Sequence, residues 1–272
     1  MRGSELPRER EEGAEVCLGT FSGTALSLRW VPPGPLTAAD RAAVTAIRAF
    51  RVMAWYDEQE QPWSRAEDPT IHDVIHDVGE SLERDLAAWH CLARDGGGQL
   101  TGCARVTPVN RPASSPSLAS LAAGSLDDVL NRMGRPAHGQ GVELGMLIVH
   151  PAHRGGRAAS LVVALALATG RVLGRSRAWG FVGTGRGQHR FIAHYGGVDL
   201  GQVREFPIHG EEARLMWWTG GVDWGRAREY PAPGEKARLM WCDLTAAAGR
   251  FEPLVSGLAG RIIRRHAVPP AA

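Results

Sequence analysis

Residues 149–160 read VHPAHRGGRAAS, and they separate the apolar run VELGMLIV (142–149) from the apolar run LVVALALATG (161–170). The first run has the length of a buried strand and the second the length and composition of a helix, so the quoted stretch is a strand-to-helix junction. A strand that ends in a glycine turn and opens a helix leaves several backbone N–H groups without intrahelical partners. Together with the positive end of the helix dipole they suit an anion, and phosphate above all. Gly155 and Gly156 permit close approach of the backbone, and Arg154 and Arg157 bring charge to the rim. An ordinary tight connection between strand and helix explains the same glycines and stays open. Neither a Gly-Lys-Ser/Thr loop nor a GxGxxG fingerprint is present, which excludes the two commonest nucleotide-binding junctions.

Working outward, a short apolar strand, RAWGFVGTG (177–185), follows the helix and a short helix, RGQHRFIAHY (186–195), follows that. Strand, crossover helix and strand predict a parallel pair, so the centre is α/β. Upstream, AWHCLARDGGGQLTGCARVTPV (88–109) reads as two strands joined by a glycine turn. ALSLRWVPP (25–33) alternates as a strand, and LTAADRAAVTAIRAFRVMAWYDE (36–58) predicts a helix with Thr37 as N-cap and Ala43, Ile47, Phe50 and Ala54 on one face. A second helix is expected in TIHDVIHDVGESLERDLA (70–87), whereas NRPASSPSLASLAAGS (110–125) reads as loop.

Composition bounds the function. The 272 residues are 44% hydrophobic and 22% charged, ordinary for a globular chain, and 31 basic against 29 acidic residues leave a formal charge of +2. Such balance carries no footprint of a nucleic-acid binder. Cys17, Cys91, Cys103 and Cys242 are dispersed, without metal spacing, as in a reduced cytoplasmic protein. No segment reads as a secretory signal or a membrane span. His72 and His76, with Asp73 and Asp77, have the helical spacing of a metal site but no third ligand, and read as a polar helix face. Trp55, Trp63, Trp89, Trp179 and Trp217 are either core residues or the walls of an acyl tunnel.

The C-terminal third holds a repeat. GGVDLGQVREFPIHGEEARLMWW (196–218) and GGVDWGRAREYPAPGEKARLMWC (220–242) agree at 15 of 23 positions with a period of 24. Each copy reads as strand, turn at Gly210 or Gly234, and strand. A tandem duplication in which one copy completes the sheet and the other extends it is one account, and pairing between chains is the other.

The stretch GVELGMLIVHPAHRGGRAASLVVALALATGRVLG (141–174) resembles the central motif of the GNAT superfamily of acyl-CoA-dependent N-acyltransferases, in which a strand ending V-x-P-x-x-R-G-x-G runs into the helix that binds the coenzyme A pyrophosphate. Its consensus falls on His153, Gly156 and Ala158. The segment 177–201 resembles the next family segment, with Ile192 where the family often has an acidic tyrosine. Residues 88–109 and 142–149 are similar to the branch of acyl-homoserine-lactone and long-chain N-acyl amino acid synthases, through Gly102, Cys103, Arg105, Pro108 and Glu143; Met146 stands where the lactone synthases usually have arginine.

The resemblance implies a mixed α/β (α+β), GNAT-like twisted sheet with helices on both faces and a duplicated C-terminal β-hairpin. Residues 1–22 read as a mobile tail and 246–272 as a C-terminal helix and tail, and the resemblance makes 23–245 the acyltransferase domain. The expected reaction moves an acyl group from acyl-CoA, acetyl-CoA or the phosphopantetheine of acyl carrier protein to a small-molecule amine, with no metal. Glu143 is the expected base and His194 or Tyr195 the acid on the leaving thiol. Leu147, Ile148, Val149, His153, Arg154, Gly155, Gly156, Arg157, Ala158 and Ala159 are the expected donor-binding residues, and Arg105 and Trp55 the acceptor-binding ones. Glu143 as a structural residue paired with an arginine stays open, as does a non-catalytic module that binds an acyl thioester or a protein partner. A homodimer is compatible with either.

Overall fold

A computed structural model of the chain describes residues 15–31, 36–58, 84–119, 121–136, 139–184, 187–206 and 235–247. Its strands are β1 (Glu15–Phe21), β2 (Thr24–Arg29), β3 (Trp89–Arg94), β4 (Leu100–Val109), β5 (Gly141–Val149), β6 (Arg177–Gly183), β7 (Gly197–Phe206) and β8 (Glu235–Asp243). They form one eight-stranded sheet in the order β1-β2-β3-β4-β5-β6-β8-β7. All neighbours are antiparallel except β5 and β6.

The helices are α1 (Ala38–Glu58), α2 (Pro116–Ala119), α3 (Ala123–Arg132), α4 (Ala158–Val172), α5 (Gln188–His194) and α6 (Leu244–Ala247). The α1 start obeys its sequence: the Asp40 N–H donates to Thr37 Oγ1 at 3.1 Å, and the Thr37 N–H and hydroxyl both donate to Asp40 Oδ2. Ten residues of α4 are buried, Val162 to Gly170 without a break, because this helix lies against the centre of the sheet. Its cluster takes Leu28, Cys91, Ala104, Val106, Val142 and Ala178 from the strands. On the opposite face α1 covers Leu92, Cys103 and Ile148, while α2 and α3 cover Val109, Trp179 and Leu239. Helices thus flank both faces of a mixed sheet, as expected.

The β5–α4–β6 unit gives the parallel pair, but the pair is short. Only Gly141–Glu143 and Arg177–Trp179 are in register, and β5 runs on to Val149 while β6 turns to β8. Two local features mark the place where the strands part. At Gly180 a β-carbon would collide with the Leu144 carbonyl oxygen, so only glycine lets the strands come this close before they diverge. Beyond it Met146 adopts φ 54° and the β4–β5 register slips, so that Met146 and Leu147 together face Ala104 in a bulge that turns β5 away.

Three expectations are corrected. Residues 15–21 are not a mobile tail: Val16, Leu18 and Phe21 pack on the core, and Ser22 and Gly23, both at positive φ, turn the chain into β2. The 110–125 segment is not a plain loop, since it holds a 3-10 turn (Pro112–Ser114), α2 and the start of α3. Third, among the described residues the strand that pairs with β7 comes from the other copy of the repeat. β7 comes from the first copy and β8 from the second, with Phe206 opposite Glu235. Residues 207–234, Trp63, Trp217, His72, Asp73, His76, Asp77, most of the second expected helix and 248–272 lie outside the described residues.

Candidate active site

The junction is an open, glycine-containing turn. A 3-10 turn (Pro151–His153) follows β5, Gly155 takes φ +77°, and α4 begins at Ala158. Residues 152–157 are exposed, and among the described residues none accepts the N–H groups of Gly155, Gly156, Arg157 or Ala158. The arginines are anchored rather than loose: Arg154 Nε donates to the Val149 carbonyl at 3.0 Å and Arg157 Nη1 to Ser22 Oγ at 2.6 Å. A cleft of about 300 Å³ opens here between the β1–β2 turn and the start of α4, lined by Ser22, Thr24, Asp95, Thr101, Arg154 and Arg157 among others. His153 and Gly156 line it too, whereas Ala159 is half-buried.

Ile148 and Val149 are buried in the sheet, and Leu147 is partly buried against the α4 cluster. Beyond Glu143 no β6 residue pairs with β5 among the described residues, so the β6-facing edge of Leu144–Val149 lines the gap between the parting strands.

Glu143 stands where the gap begins. It is opposite Trp179 on β6 and is 9% exposed, and its carboxylate accepts from the Ser115 and Ser117 hydroxyls, the latter at 2.7 Å. Trp179 Nε1 in turn donates to Ser115 Oγ at 2.8 Å. The structural alternative foresaw an arginine partner for Glu143, but among the described residues its carboxylate is held by two serines. They come from the segment 110–125, and a sequence read as loop gave no signal for them.

Arg105 lies on the same sheet face, two residues from Thr107, which is opposite Glu143. One terminal nitrogen bonds Asp85 Oδ1 at 2.9 Å; the other approaches Gly145, where a β-carbon would sit 3.7 Å from it. Asp85 was not foreseen. It is fully buried and also meets Arg48 at 3.1 Å and Arg51 at 2.9 Å, while its carbonyl oxygen lies 2.7 Å from His90 Nε2. Burial pushes the Asp85 carboxyl up, and the charges of Arg51, Arg105 and Arg48 override this and hold it well below the usual carboxylate range. For His90, burial brings the imidazole down to about 4, with Asp85 opposing and Arg51 adding to the shift, so it is neutral at pH 7.

Tyr195 ends α5 on the other face, edge-on to Phe191 at 5.2 Å and to His194 at 5.6 Å. It is partly buried against the same core cluster on which Leu144 and Leu147 also pack, whereas His194 is exposed. Trp89 and Trp179 are core side chains, Trp89 being stacked on Trp30 at 5.1 Å, so neither walls a tunnel. Trp55 lies in α1, and its side chain is outside the described residues. All four cysteines are free, and among the described residues no cluster could hold a metal ion and no helix is long and apolar enough to cross a membrane.

No protein-family model and no curated protein matches the chain. Solved structures similar to it include apo TofI, 17% identical with a TM-score of 0.46 over 87% of this chain and 98% of that one. A spermidine N-acetyltransferase chimera from Vibrio cholerae is 14% identical, with a TM-score of 0.40 over 83% of this chain and 99% of that one. MesI, a CoA-dependent acyl-homoserine lactone synthase, is 18% identical, with a TM-score of 0.36 over 62% and 67%.

Proposed function

We propose that the chain is an N-acyltransferase that moves an acyl group from a pantetheine thioester to the amine of a small molecule or amino acid. The observation that carries this is the parting of β5 and β6 immediately after Glu143 and Trp179, with the amides of 155–158, which have no acceptor among the described residues, at the far end of the same strand. A phosphate held at that turn leaves the pantetheine arm to run along the unpaired edge of β5, with its thioester directed toward Glu143. An extended arm takes the place of a missing strand, its amides meeting the groups that β6 leaves free.

In this reading the acceptor approaches from the α1–α2 face. Glu143 takes a proton from the ammonium, directly or through water, and the two serine hydroxyls fix its orientation. The amine nitrogen then bonds to the acyl carbon, a β5 backbone N–H near Leu147 or Val149 stabilises the oxyanion, and the C–S bond breaks. The thiolate receives its proton from Tyr195 or His194, of which Tyr195 is partly buried against the core cluster on which Leu144 and Leu147 also pack, whereas His194 is exposed. Arg105, braced by Asp85, is the candidate for an acceptor carboxylate. Coenzyme A and acyl carrier protein both supply the required arm, and four free thiols suit the cytoplasm.

Ile192, at the place where the resembling family often has tyrosine, favours the second reading, a non-catalytic module that binds a thioester. Thiol release from acetyl-CoA and longer acyl-CoAs, with and without a panel of amines, separates the two. Acceptor-dependent release supports the enzyme; binding without such release rejects it.

A further inference from the structure

The sheet position occupied by β8 has two claimants in this chain. Residues 211–219, EEARLMWWT, repeat the sequence of β8, EKARLMWCD, one period earlier. β8 buries Ala237, Leu239 and Met240 between β6 and β7, and the first copy offers Ala213, Leu215 and Met216 at the same places. Arg238, paired with Asp199, has Arg214 as its counterpart. By these contacts alone either copy fits.

Three places differ, and two of them favour the second copy. Cys242 is 4% exposed, opposite Ala178 on β6 and Gly197 on β7, and its thiol donates to the Tyr195 carbonyl at 3.5 Å. Trp218 would have to enter that small-residue niche and overpack it. Asp243 pairs with Arg177 at 3.2 Å and accepts from the Thr245 N–H at 2.8 Å at the start of α6; Thr219 retains a capping oxygen but has no charge for Arg177. Lys236 is in register with Glu205, and the first copy has Glu212 at that place.

We infer that Cys242 is the main selector of the strand that completes the sheet, assisted by Asp243, and that one 24-residue period is dispensable for the fold. The selection also protects the end of α5, since the niche that holds Cys242 is bounded by Tyr195. This inference uses only the sheet contacts and stands whether or not the acyl-transfer reading holds.

Two deletions of one period each provide the test. Removing 207–230 joins Phe206 to Pro231 and leaves PAPG as a four-residue loop between β7 and β8, a common hairpin length. Removing 220–243 instead puts 211–219 in the β8 position. The first protein is expected to unfold at the temperature of the full chain, and the second roughly 5–10 °C lower. Adding Trp218→Cys to the second is expected to recover most of the difference. In the full chain, hydrogen exchange is expected to be slow over 235–243 and fast over 211–219. Equal midpoints for the two deletions, no recovery with Trp218→Cys, failure of the first deletion to fold, or protection of 211–219 in place of 235–243 would each overturn the inference.

Discussion

Glu143 and Trp179 are the last pair in register before β5 and β6 diverge, and a single hydroxyl, Ser115 Oγ, bonds to both. The carboxylate is thereby tied to the fork in the sheet rather than to a mobile loop. Ser115→Ala is expected to leave Trp179 Nε1 without its acceptor in the core and to cost about 1–3 kcal/mol, read by urea unfolding. Turnover is expected to fall with it while the donor KM stays near its starting value, since the serine touches Glu143, the proposed base, and not the proposed pantetheine path.

Asp85 anchors three arginines from two elements. Removing a buried partner leaves uncompensated charge, so Asp85→Asn is expected to lose about 3–5 kcal/mol at neutral pH. Because the native carboxyl is held below its ordinary value of 3.8, its contribution is complete above that value and is lost as pH falls toward the depressed native one. The difference in stability between the parent and Asp85→Asn should therefore be steady from pH 7 to about 5 and shrink below about pH 4.

His90 supplies the opposite kind of pH dependence. Its native value of about 4 lies under the ordinary 6.5, so the unfolded chain binds the extra proton between those limits. Stability should fall as pH drops through that window, by about 3 kcal/mol in total. His90→Gln should flatten the slope between pH 6.5 and 4 in urea midpoints measured at half-unit steps.

Gly155 holds φ +77°, which an alanine adopts only with strain. If the amides of this turn carry the donor phosphate, Gly155→Ala should raise the donor KM by about tenfold and leave kcat nearly unchanged. An unchanged KM would move the phosphate site elsewhere.

The local signals were legible because they depend on neighbours in sequence. Thr37 and Asp40 lie three residues apart and form the α1 cap, and the glycines of 155–156 turn the strand into α4. The parallel pair followed from chain order. What escaped depends on distant contacts. Asp85 meets arginines 34 and 37 residues upstream and one 20 residues downstream, so nothing in its own surroundings marks it as buried. Ser115 and Ser117 sit in a run of small residues that is polar enough to read as loop, and only the fold turns them onto Glu143. Met146 gives no hint of its left-handed backbone, which arises from the bulge between β4 and β5. The repeat was visible, but not that the sheet would take one strand from each copy.

The central claim is that Glu143 is the base for acyl transfer at the fork between β5 and β6, and thiol release from acyl-CoA in the presence of an amine tests it most directly. Wild-type protein should release thiol only when acceptor is added, and Glu143→Gln should slow that release by about 10²–10⁴-fold while still binding the thioester and unfolding cooperatively. A Glu143→Gln protein that releases thiol at the wild-type rate would contradict the account.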